Sequence, residues 1–461
     1  MSGSSLATFR NQLESLLRSV RDGRGTQKAP RSSILRLSRR LELCEPLDLM
    51  AALKVSPSLY WRSSEGSLEV VGLGCADRKQ CGASEDIFQF LRSIESQLTT
   101  AAPTVKYYGG LRFNTEAPIS SEWAAFGSAL FMLPRVEVIQ QGGSSYVVIN
   151  LMTEERIEPQ LEAIEDILRC AATQVEETLP VASARRTDTP SQPLWNERIR
   201  DVLSILEGAN RAEKIVLSRC SELELESEGS VAAILRELLR ASRRSYGFMF
   251  SPQEGVSFLG ASPERLFHRY GSLVESEALA GTTGRGSNQE HDQVLARDLL
   301  QSRKNRVEHQ LVVDSIATQL EVICDAPPTV ESTTTIPTSS VQHLCAAIRG
   351  NLKDGVADSD IVRALHPTPA VAGTPTAEAV RFITENEGYD RGWYTGPVGY
   401  LGRDESEFAV AIRCALITPG IARLYAGAGI VSGSDEGSEW NELEAKMAPY
   451  VRLLVHSERY A

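Results

Sequence analysis

Residues 407–431 read EFAVAIRCALITPGIARLYAGAGIV, and this stretch predicts an antiparallel sheet. Apolar and other side chains alternate along its first half, up to Ile417, with the two-residue period of a half-buried strand. Pro419 and Gly420 are typical of a tight turn. Residues 421–431 then read as a returning strand, and two strands joined by so short a turn pair antiparallel.

Small residues dominate one face of the second strand. Arg423, Tyr425, Gly427 and Gly429 are spaced two residues apart, so their side chains share a face. Glycines around an arginine leave a hollow in which a ligand can approach the backbone. Because an arginine can bind a carboxylate through two parallel hydrogen bonds, this face indicates an anion site that includes Arg423.

The next segment, SEWNELEAK at 438–446, predicts a helix with charged side chains beside its buried face. At helical spacing Glu439, Glu442 and Lys446 form one stripe, and beside it lies an apolar stripe of Leu443, Met447, Tyr450 and Leu454. Carboxylate oxygens suit Mg²⁺, whose shell substrate and water can complete. Taken alone, the helix favours the simpler interpretation of a surface salt-bridge pattern.

Upstream, the pattern predicts strands and helices on both sides of a linker. Strands are predicted at 213–219, 258–267 and 273–276, and helices at 159–177 and 290–323. Residues 182–193 are rich in serine, threonine, proline and arginine, and this composition is typical of a linker.

Composition bounds the class of protein. The 461 residues suffice for one large domain or for roughly two to three ordinary ones. A net charge of −12 argues against nucleic acid as a partner. Eight scattered cysteines without a C-x-x-C pair indicate reduced thiols. Since no apolar run has membrane-spanning length and no signal peptide is evident, the sequence predicts a cytoplasmic enzyme without a membrane partner.

A basic segment near the N-terminus departs from this acidic balance. Eight lysines and arginines fall between Arg18 and Arg40, among glycine, serine and proline. An anion-binding arm or a transit peptide can have this composition, but no aromatic residue interleaves the arginines for stacking on bases. The favoured interpretation is a solvated loop that follows an N-terminal helix.

Nine motifs in a fixed order carry a family resemblance. They are EKIVLSR at 213–219, SPERL at 262–266, EALAGT at 277–282, Glu308-His309, His343-Leu344, HPTPAVAG at 366–373, WYTG at 393–396, AGAGI at 426–430 and the helix with Glu439, Glu442 and Lys446. Over about residues 195–457 the chain resembles the chorismate-utilising enzymes, which include isochorismate, salicylate, anthranilate and aminodeoxychorismate synthases. FMLPR at 131–135 extends a looser resemblance into the N-terminal third.

The resemblance implies an α+β fold. In this fold large antiparallel β-sheets face each other, with helices packed outside and the active site in the cleft between the sheets. Residues 195–457 would form the chorismate-binding catalytic region. Residues 1–185 would form an N-terminal α/β region that contributes strands to the same fold.

The resemblance also implies a proton-transfer pair. Lys214 matches the general base on the water that attacks C2 of chorismate, a role that needs surroundings in which a neutral amine is favoured. The alternative for Lys214 is a strand-edge lysine in a salt bridge. Glu264 matches the general acid that protonates the departing C4 hydroxyl, with Glu277 as the alternative acid. His343 matches a histidine beside that hydroxyl, with a hydrogen-bonded core histidine as the alternative.

Metal and substrate ligands are implied in the same way. Glu308 and Glu442 match direct Mg²⁺ ligands and Glu439 a nearby or water-mediated one, so Mg²⁺ is the expected cofactor. Lys446 would neutralise this carboxylate cluster. The resemblance assigns the enolpyruvyl carboxylate of the substrate to Tyr394, Arg413 and the backbone of Gly427 and Gly429. The other implied substrate-binding positions are Leu279, Gly281, Thr282 and Ala370.

Four positions separate the branches of the family. Lys214 favours water as the nucleophile, whereas anthranilate synthases use ammonia and lack this lysine. Ala280 stands where aminodeoxychorismate synthases carry a nucleophilic lysine. Salicylate synthases tend to have threonine in place of Ala370 and to lack the histidine found here as His366. The resemblance therefore implies an isochorismate synthase, which converts chorismate reversibly to isochorismate, with salicylate synthase as the alternative.

Chorismate is thus the expected partner, and neither nucleic acid nor a glutaminase subunit is expected. Nucleic-acid binding through the basic segment is the alternative from a different class of function. The sequence leaves the oligomeric state open, and it is compatible with a monomer. It also leaves open whether isochorismate is used in menaquinone, siderophore or salicylate biosynthesis.

Overall fold

The fold is described from a computed structural model for residues 3–22, 33–42, 45–171, 178–208, 212–242, 244–337 and 341–455. The helices in these ranges are α1 (Gly3–Arg21), α2 (Pro46–Ala52), α3 (Ile87–Thr100), α4 (Ile157–Cys170), α5 (Gln192–Glu207), α6 (Val231–Ala241), α7 (Gln289–Gln301), α8 (Arg303–Ile323), α9 (Asp358–Leu365), α10 (Thr376–Asn386) and α11 (Glu436–Leu454). No helix in these ranges is both long enough and apolar enough to cross a membrane.

The strands of the described chain are β1 (Ile34–Leu41), β2 (Ser58–Arg62), β3 (Leu68–Cys81), β4 (Lys106–Leu111), β5 (Ala129–Gln141), β6 (Ser144–Met152), β7 (Val181–Thr189), β8 (Lys214–Ser227), β9 (Tyr246–Gln253), β10 (Val256–Ser262), β11 (Arg265–Tyr270), β12 (Leu273–Gly284), β13 (Thr329–Val330), β14 (Thr334–Pro337), β15 (Val341–Asn351), β16 (Gly373–Thr374), β17 (Pro397–Gly402), β18 (Glu405–Val410), β19 (Cys414–Thr418) and β20 (Ile421–Ile430).

Two arms of one hydrogen-bonded sheet start from β5. The first arm runs β3, β2, β9, β10, β19, β20 and β8. The second arm runs β4, β17, β18, β11, β12 and β15. Every pairing of neighbouring strands in these arms is antiparallel, as the hairpin at 407–431 predicts.

The two arms face each other across a core rich in aromatic side chains. Trp61 on the first arm and Tyr400 on the second meet edge to face, with ring centroids 6.0 Å apart. Apolar faces of α2, α4, α5, α6, α10 and α11 pack outside the first arm, and those of α3, α8 and α9 pack outside the second. The helix α1 packs against β1 and β6. The predicted α+β fold, with facing antiparallel sheets and helices outside, is confirmed.

The chain crosses between the arms twice at the same place. It leaves β10 in the first arm and enters β11 in the second around Glu264, and it returns from β18 to β19 around Arg413. The two crossings are hydrogen-bonded to each other: Val410 N donates to Glu264 O at 3.0 Å, and Ala261 N donates to Arg413 O at 3.1 Å. The single strands predicted at 258–267 and 407–417 are therefore wrong, because each one changes arms midway.

Two further predictions need correction. The helix predicted at 290–323 breaks at Ser302, which ends α7 and whose hydroxyl then accepts from Asn305 N at 3.4 Å to cap α8. Residues 182–193 are not a linker, because β7 pairs with β8 and α5 begins at Gln192. The helix predicted at 159–177 is observed as α4, and residues 172–177 lie outside the described residues.

Part of the basic segment is structural rather than solvated. Arg36 on β1 is bound to the buried carboxylate of Glu137, with Nη1 2.5 Å from Oε1, and to Asn150 Oδ1 at 2.7 Å. The prediction of a solvated loop is therefore wrong for Arg36. Residues 23–32 of the same segment lie outside the described residues.

Candidate active site

A cavity lies between the arms, beside the two crossings. It brings together fourteen of the fifteen residues predicted to form the site: Lys214, Glu264, Leu279, Gly281, Thr282, Glu308, His343, Ala370, Tyr394, Arg413, Gly427, Gly429, Glu442 and Lys446. Glu439 does not line the cavity. The residues come from both arms, from α8 and α11, and from the loop before β16, so only the folded chain assembles them.

Lys214 begins β8 and is buried, with 2% of its surface exposed. Its Nζ lies 3.0 Å from Oε1 of Glu308 on α8, which packs outside the other arm. The side chain passes directly over Gly429 of the neighbouring β20, where an added Cβ would stand 2.6 Å from Lys214 Cε. Only glycine at position 429 leaves this path open to the lysine.

Glu264 lies at the first crossing and is buried. Burial raises the pKa of its carboxyl to about 8, although the positive charges of Lys214 and Lys446 act against this rise. The carboxyl therefore holds its proton at neutral pH, as a general acid must. Glu277 does not line the cavity and is paired with Arg265 at 2.8 Å, so the geometry favours Glu264 over Glu277 as the acid.

Arg413 lies at the second crossing in a left-handed backbone conformation, with φ of 51°. Thr395, with φ of 64°, is the other non-glycine residue of the described chain with positive φ, and both residues line the cavity. Strain of this kind persists where the surrounding structure holds it, and it concentrates at ligand sites. Tyr450 helps to hold it, since its hydroxyl donates to Arg413 O at 2.7 Å.

The guanidinium of Arg413 forms no hydrogen bond or salt bridge with any described residue. A half-buried cation without an ion pair is available to an anionic ligand. The anion site predicted at Arg423 is wrong, because Arg423 is paired with Glu222 at 2.7 Å and lines a different cleft. The hollow on that strand is present, but Arg413 supplies its cation.

His343 on β15 is neutral and has one free ring nitrogen. Burial, together with the nearby charges of Arg413 and Lys446, lowers its pKa to about 3. Its Nδ1 is 3.0 Å from Thr282 Oγ1, while its buried Nε2 has no partner among the described residues. A core histidine would have both nitrogens satisfied, so this geometry favours a histidine that can bind a ligand hydroxyl.

The helix α11 brings two of the three residues of its charged stripe, Glu442 and Lys446, to the cavity. Its apolar stripe is buried, and the side chain of Asp435 caps its first turn by accepting from Ser438 N at 2.8 Å. Lys446 Nζ is 2.5 Å from Glu442 Oε1 and donates to Gly427 O at 2.7 Å. Burial alone would raise the pKa of Glu442, but Lys446 and Arg413 outweigh it and the pKa lies below its usual value.

The carboxylates of the cavity fit a hard cation that binds together with an anionic substrate. Among the described residues no three histidine, cysteine or acidic side chains are grouped to hold a metal by themselves. Glu308 and Glu442 nevertheless bring two carboxylates to the cavity, the number that Mg²⁺ commonly takes from a protein when an anionic substrate completes its shell. Glu439 is buried outside the cavity, and burial and the nearby charge of Glu442 raise its pKa.

Sequence reasoning missed several residues that line the cavity. Thr395 lies in the WYTG motif, and Tyr425 stacks on Tyr394 with centroids 5.2 Å apart and rings inclined by 16°. Tyr425 is on the strand face that the sequence marks as a hollow. No pattern of spacing signals Thr395, because its position depends on a positive φ that the sequence alone does not reveal for a residue other than glycine.

The profile of the family described as "Chorismate binding enzyme" matches residues 16–455. The chain belongs to the chorismate-binding enzyme family. It is 37% identical over 375 residues to isochorismate synthase 2 of Arabidopsis thaliana. These aligned residues cover 79% of this chain and 67% of the plant protein. It is 31% identical over 451 residues to the isochorismate synthase MenF of Bacillus subtilis, covering 92% of this chain and 94% of that protein.

The solved structure of MenF from Escherichia coli, a menaquinone-specific isochorismate synthase, has the same fold. It superposes with a TM-score of 0.84 and 28% identity, over 97% of this chain and 100% of that one. The nine motifs predict membership of this family and similarity of the chain to isochorismate synthases, and both predictions are confirmed.

The raised pKa of Glu264 predicts how stability depends on pH. Between its unfolded pKa near 4.5 and its folded pKa of about 8, the folded chain keeps a proton that the unfolded chain loses. Stability therefore falls by about 1.4 kcal/mol per pH unit as pH rises through this interval. Glu264→Gln should thus stabilise the protein, relative to wild type, more at pH above 8 than near pH 5, as measured by urea unfolding.

Glu442→Gln is the matched control for this experiment. The pKa of Glu442 is lowered, so the stability that it contributes is fully present above its unfolded pKa of 4.5. Its difference from wild type should stay constant over the same pH range. A constant difference for Glu264→Gln as well would contradict the assignment of a protonated carboxyl at position 264.

Proposed function

We propose that this chorismate-binding enzyme is an isochorismate synthase, which converts chorismate to isochorismate. The observation that carries the proposal is the presence of Lys214 and of a carboxyl protonated at neutral pH, Glu264, in one buried cavity. The names of the relatives from Arabidopsis and Bacillus support the same reaction.

The proposed chemistry removes the hydroxyl at C4 and adds a hydroxyl from water at C2. Lys214 accepts a proton from the water whose oxygen bonds to C2 of the ring. The C4–O bond breaks as the ring double bonds shift, and Glu264 gives its proton to the departing hydroxyl, which leaves as water. The base gains one proton and the acid loses one, so a transfer from Lys214 to Glu264 restores the enzyme, and the reverse reaction exchanges their roles.

The two substrate carboxylates have different partners in this proposal. Arg413, which has no ion pair with any described residue, and the Tyr394 hydroxyl would bind the enolpyruvyl carboxylate. The ring carboxylate would lie near Glu308 and Glu442, whose negative charges repel it. We propose that Mg²⁺ is held there by these two glutamates; when bound, it neutralises the ring carboxylate and polarises the ring. The positive charge of Lys446 would partly neutralise the negative charge of these two glutamates.

Product analysis tests the function. Incubation with chorismate and Mg²⁺ should yield isochorismate by NMR, and isochorismate should return chorismate. Lys214→Ala and Glu264→Gln should each lower kcat by about 10²–10⁴-fold, the usual range for acid–base groups, with little change in chorismate affinity. Glu277→Gln should be milder than Glu264→Gln, and the opposite ranking would reassign the acid.

Metal dependence is tested with enzyme stripped by EDTA and titrated with Mg²⁺. Glu308→Gln and Glu442→Gln should abolish turnover, because Mg²⁺ tolerates the loss of a direct carboxylate poorly. Glu439→Gln is the control on the same helix, and it should weaken activity less, since Glu439 lies outside the cavity. Activity of Glu442→Gln close to wild type at saturating Mg²⁺ would refute the proposed ligand set.

The competing reaction within the family is pyruvate elimination to salicylate. Ala370 lines the cavity where salicylate synthases tend to carry threonine. Ala370→Thr adds bulk and a hydroxyl that should favour the eliminating conformer of the enolpyruvyl group. Isochorismate can either be released or lose pyruvate. A change of about 1.4 kcal/mol in the difference between the barriers to these two steps alters the product ratio tenfold, so one side chain is sufficient.

Salicylate fluorescence and coupled pyruvate detection measure this partition. The Ala370→Thr variant should form salicylate and pyruvate beside isochorismate, with the first step slowed only moderately. Stoichiometric salicylate from the wild type would make it a salicylate synthase. A variant that forms none would leave the function intact and refute only the role of position 370.

A further inference from the structure

Behind the cavity lies a buried ion pair that none of the roles above uses. Arg391, just before the WYTG motif, is 4% exposed, and Glu387, which follows α10, is 2% exposed. Arg391 binds the carboxylate twice, through Nη2 to Oε1 at 2.5 Å and through Nε to Oε2 at 2.6 Å. Neither residue lines the cavity, so any effect of the pair on a substrate passes through other residues.

The remaining donors of Arg391 reach three segments of the cavity wall. Nη2 donates to Val216 O on β8 at 2.9 Å, and Nη1 donates to Val371 O at 2.9 Å and to Thr395 Oγ1 at 3.3 Å. All three acceptor residues line the cavity. They are close in sequence to Lys214, Ala370 and Tyr394, respectively. One guanidinium thus fixes the distance between the strand of the base and the segments that surround the substrate.

Further hydrogen bonds extend this linkage to Arg413. Glu387 Oε1 accepts from both the backbone N and the hydroxyl of Ser218 on β8, each at 2.8 Å. On the other side, the strained Thr395 donates its backbone N–H to Ala411 O at 2.8 Å, two residues before Arg413. The linkage therefore runs from the strand that carries Lys214 to the crossing that presents Arg413.

We propose that Arg391, held by Glu387, is a positioning residue for the isochorismate synthase reaction. It sets Lys214 on β8 at a fixed distance from Tyr394 and Arg413, so that a substrate held by its carboxylate presents C2 to the base. This inference rests on the proposed function. Because a misplacement of about 1 Å can cost on the order of 10²-fold in rate, loss of the planar guanidinium should lower kcat more than it changes KM.

Arg391→Lys is the primary test, since it keeps the positive charge beside Glu387 but replaces the rigid planar fork with a single flexible nitrogen. We expect kcat for isochorismate formation to fall by about tenfold or more, with a smaller change in the KM for chorismate. The measurements are made at a temperature where circular dichroism shows each variant to be folded.

Arg269→Lys is the matched control. Arg269 and Asp358 also form a buried pair, 8% and 3% exposed, joined by bonds of 2.5 and 2.9 Å, and neither residue lines the cavity. Arg269→Lys should lose a comparable amount of thermal stability yet keep the wild-type kcat. Equal losses of kcat in the two variants would overturn the proposal, because a general structural effect would then explain both.

Thr395→Val supplies a readout that destabilisation alone does not give. It removes the hydroxyl that Arg391 binds, so it should lower kcat. Because Thr395→Val and Arg391→Lys break the same linkage, the loss of kcat in the double variant should be smaller than the product of the two single losses. Fully multiplicative losses would overturn the proposal. Should Arg391→Lys fail to fold, Glu387→Gln weakens the same clamp, and an unchanged kcat in that variant would likewise overturn it.

Failure of this inference is distinguishable from failure of the proposed function. A wild type that makes isochorismate, together with an Arg391→Lys variant of unchanged kcat, would refute the positioning role alone. A wild type that makes no isochorismate would refute both.

Discussion

The whole site depends on one constraint: two chain segments change from one arm of the sheet to the other at the same point and are hydrogen-bonded to each other there. Ser262 Oγ donates to Val410 O at 2.6 Å, and the backbone bonds of Glu264 and Arg413 complete the contact. A strand that switches between facing sheets must bend sharply, and here the residues at the two bends, Glu264 and Arg413, both line the cavity between the arms. An acid and an arginine at these bends therefore enter one cavity.

The same cavity holds ionisable groups in opposite states because burial and neighbouring charge act differently on each. Glu264 is deeply buried and no cation of the described residues is hydrogen-bonded to its carboxyl, whose pKa rises to about 8. Glu442, also buried, is paired with Lys446, so its pKa falls. His343 is neutral because burial and two nearby cations lower its pKa to about 3. Environments that separate the pKa values of like groups allow one site to carry a proton donor beside anionic ligands.

How much of this was predictable differs from residue to residue. The spacing of residues on α11 predicts that Glu442 and Lys446 lie at the edge of a buried face, and the structure places both in the cavity. Residue spacing alone gave the wrong arginine for the anion site. It favoured Arg423, which shares a strand face with Tyr425 but is paired with Glu222. Arg413 enters the cavity through its positive φ, which spacing does not reveal. The roles implied by resemblance remain predictions, although fourteen of the fifteen predicted residues meet in one cavity.

The sequence by itself determined the family, the antiparallel hairpin of β19 and β20 and fourteen residues of the cavity, because alternation, helical spacing and motif order are local properties of the chain. The tertiary structure alone decided where strands break and change arms, which carboxyl keeps its proton, and how Arg391 connects three segments of the cavity wall. These features depend on contacts between residues far apart in the chain, such as Ser262 with Val410 and Arg391 with Val216. Burial and hydrogen-bond partners of this kind exist only after the two arms have packed together.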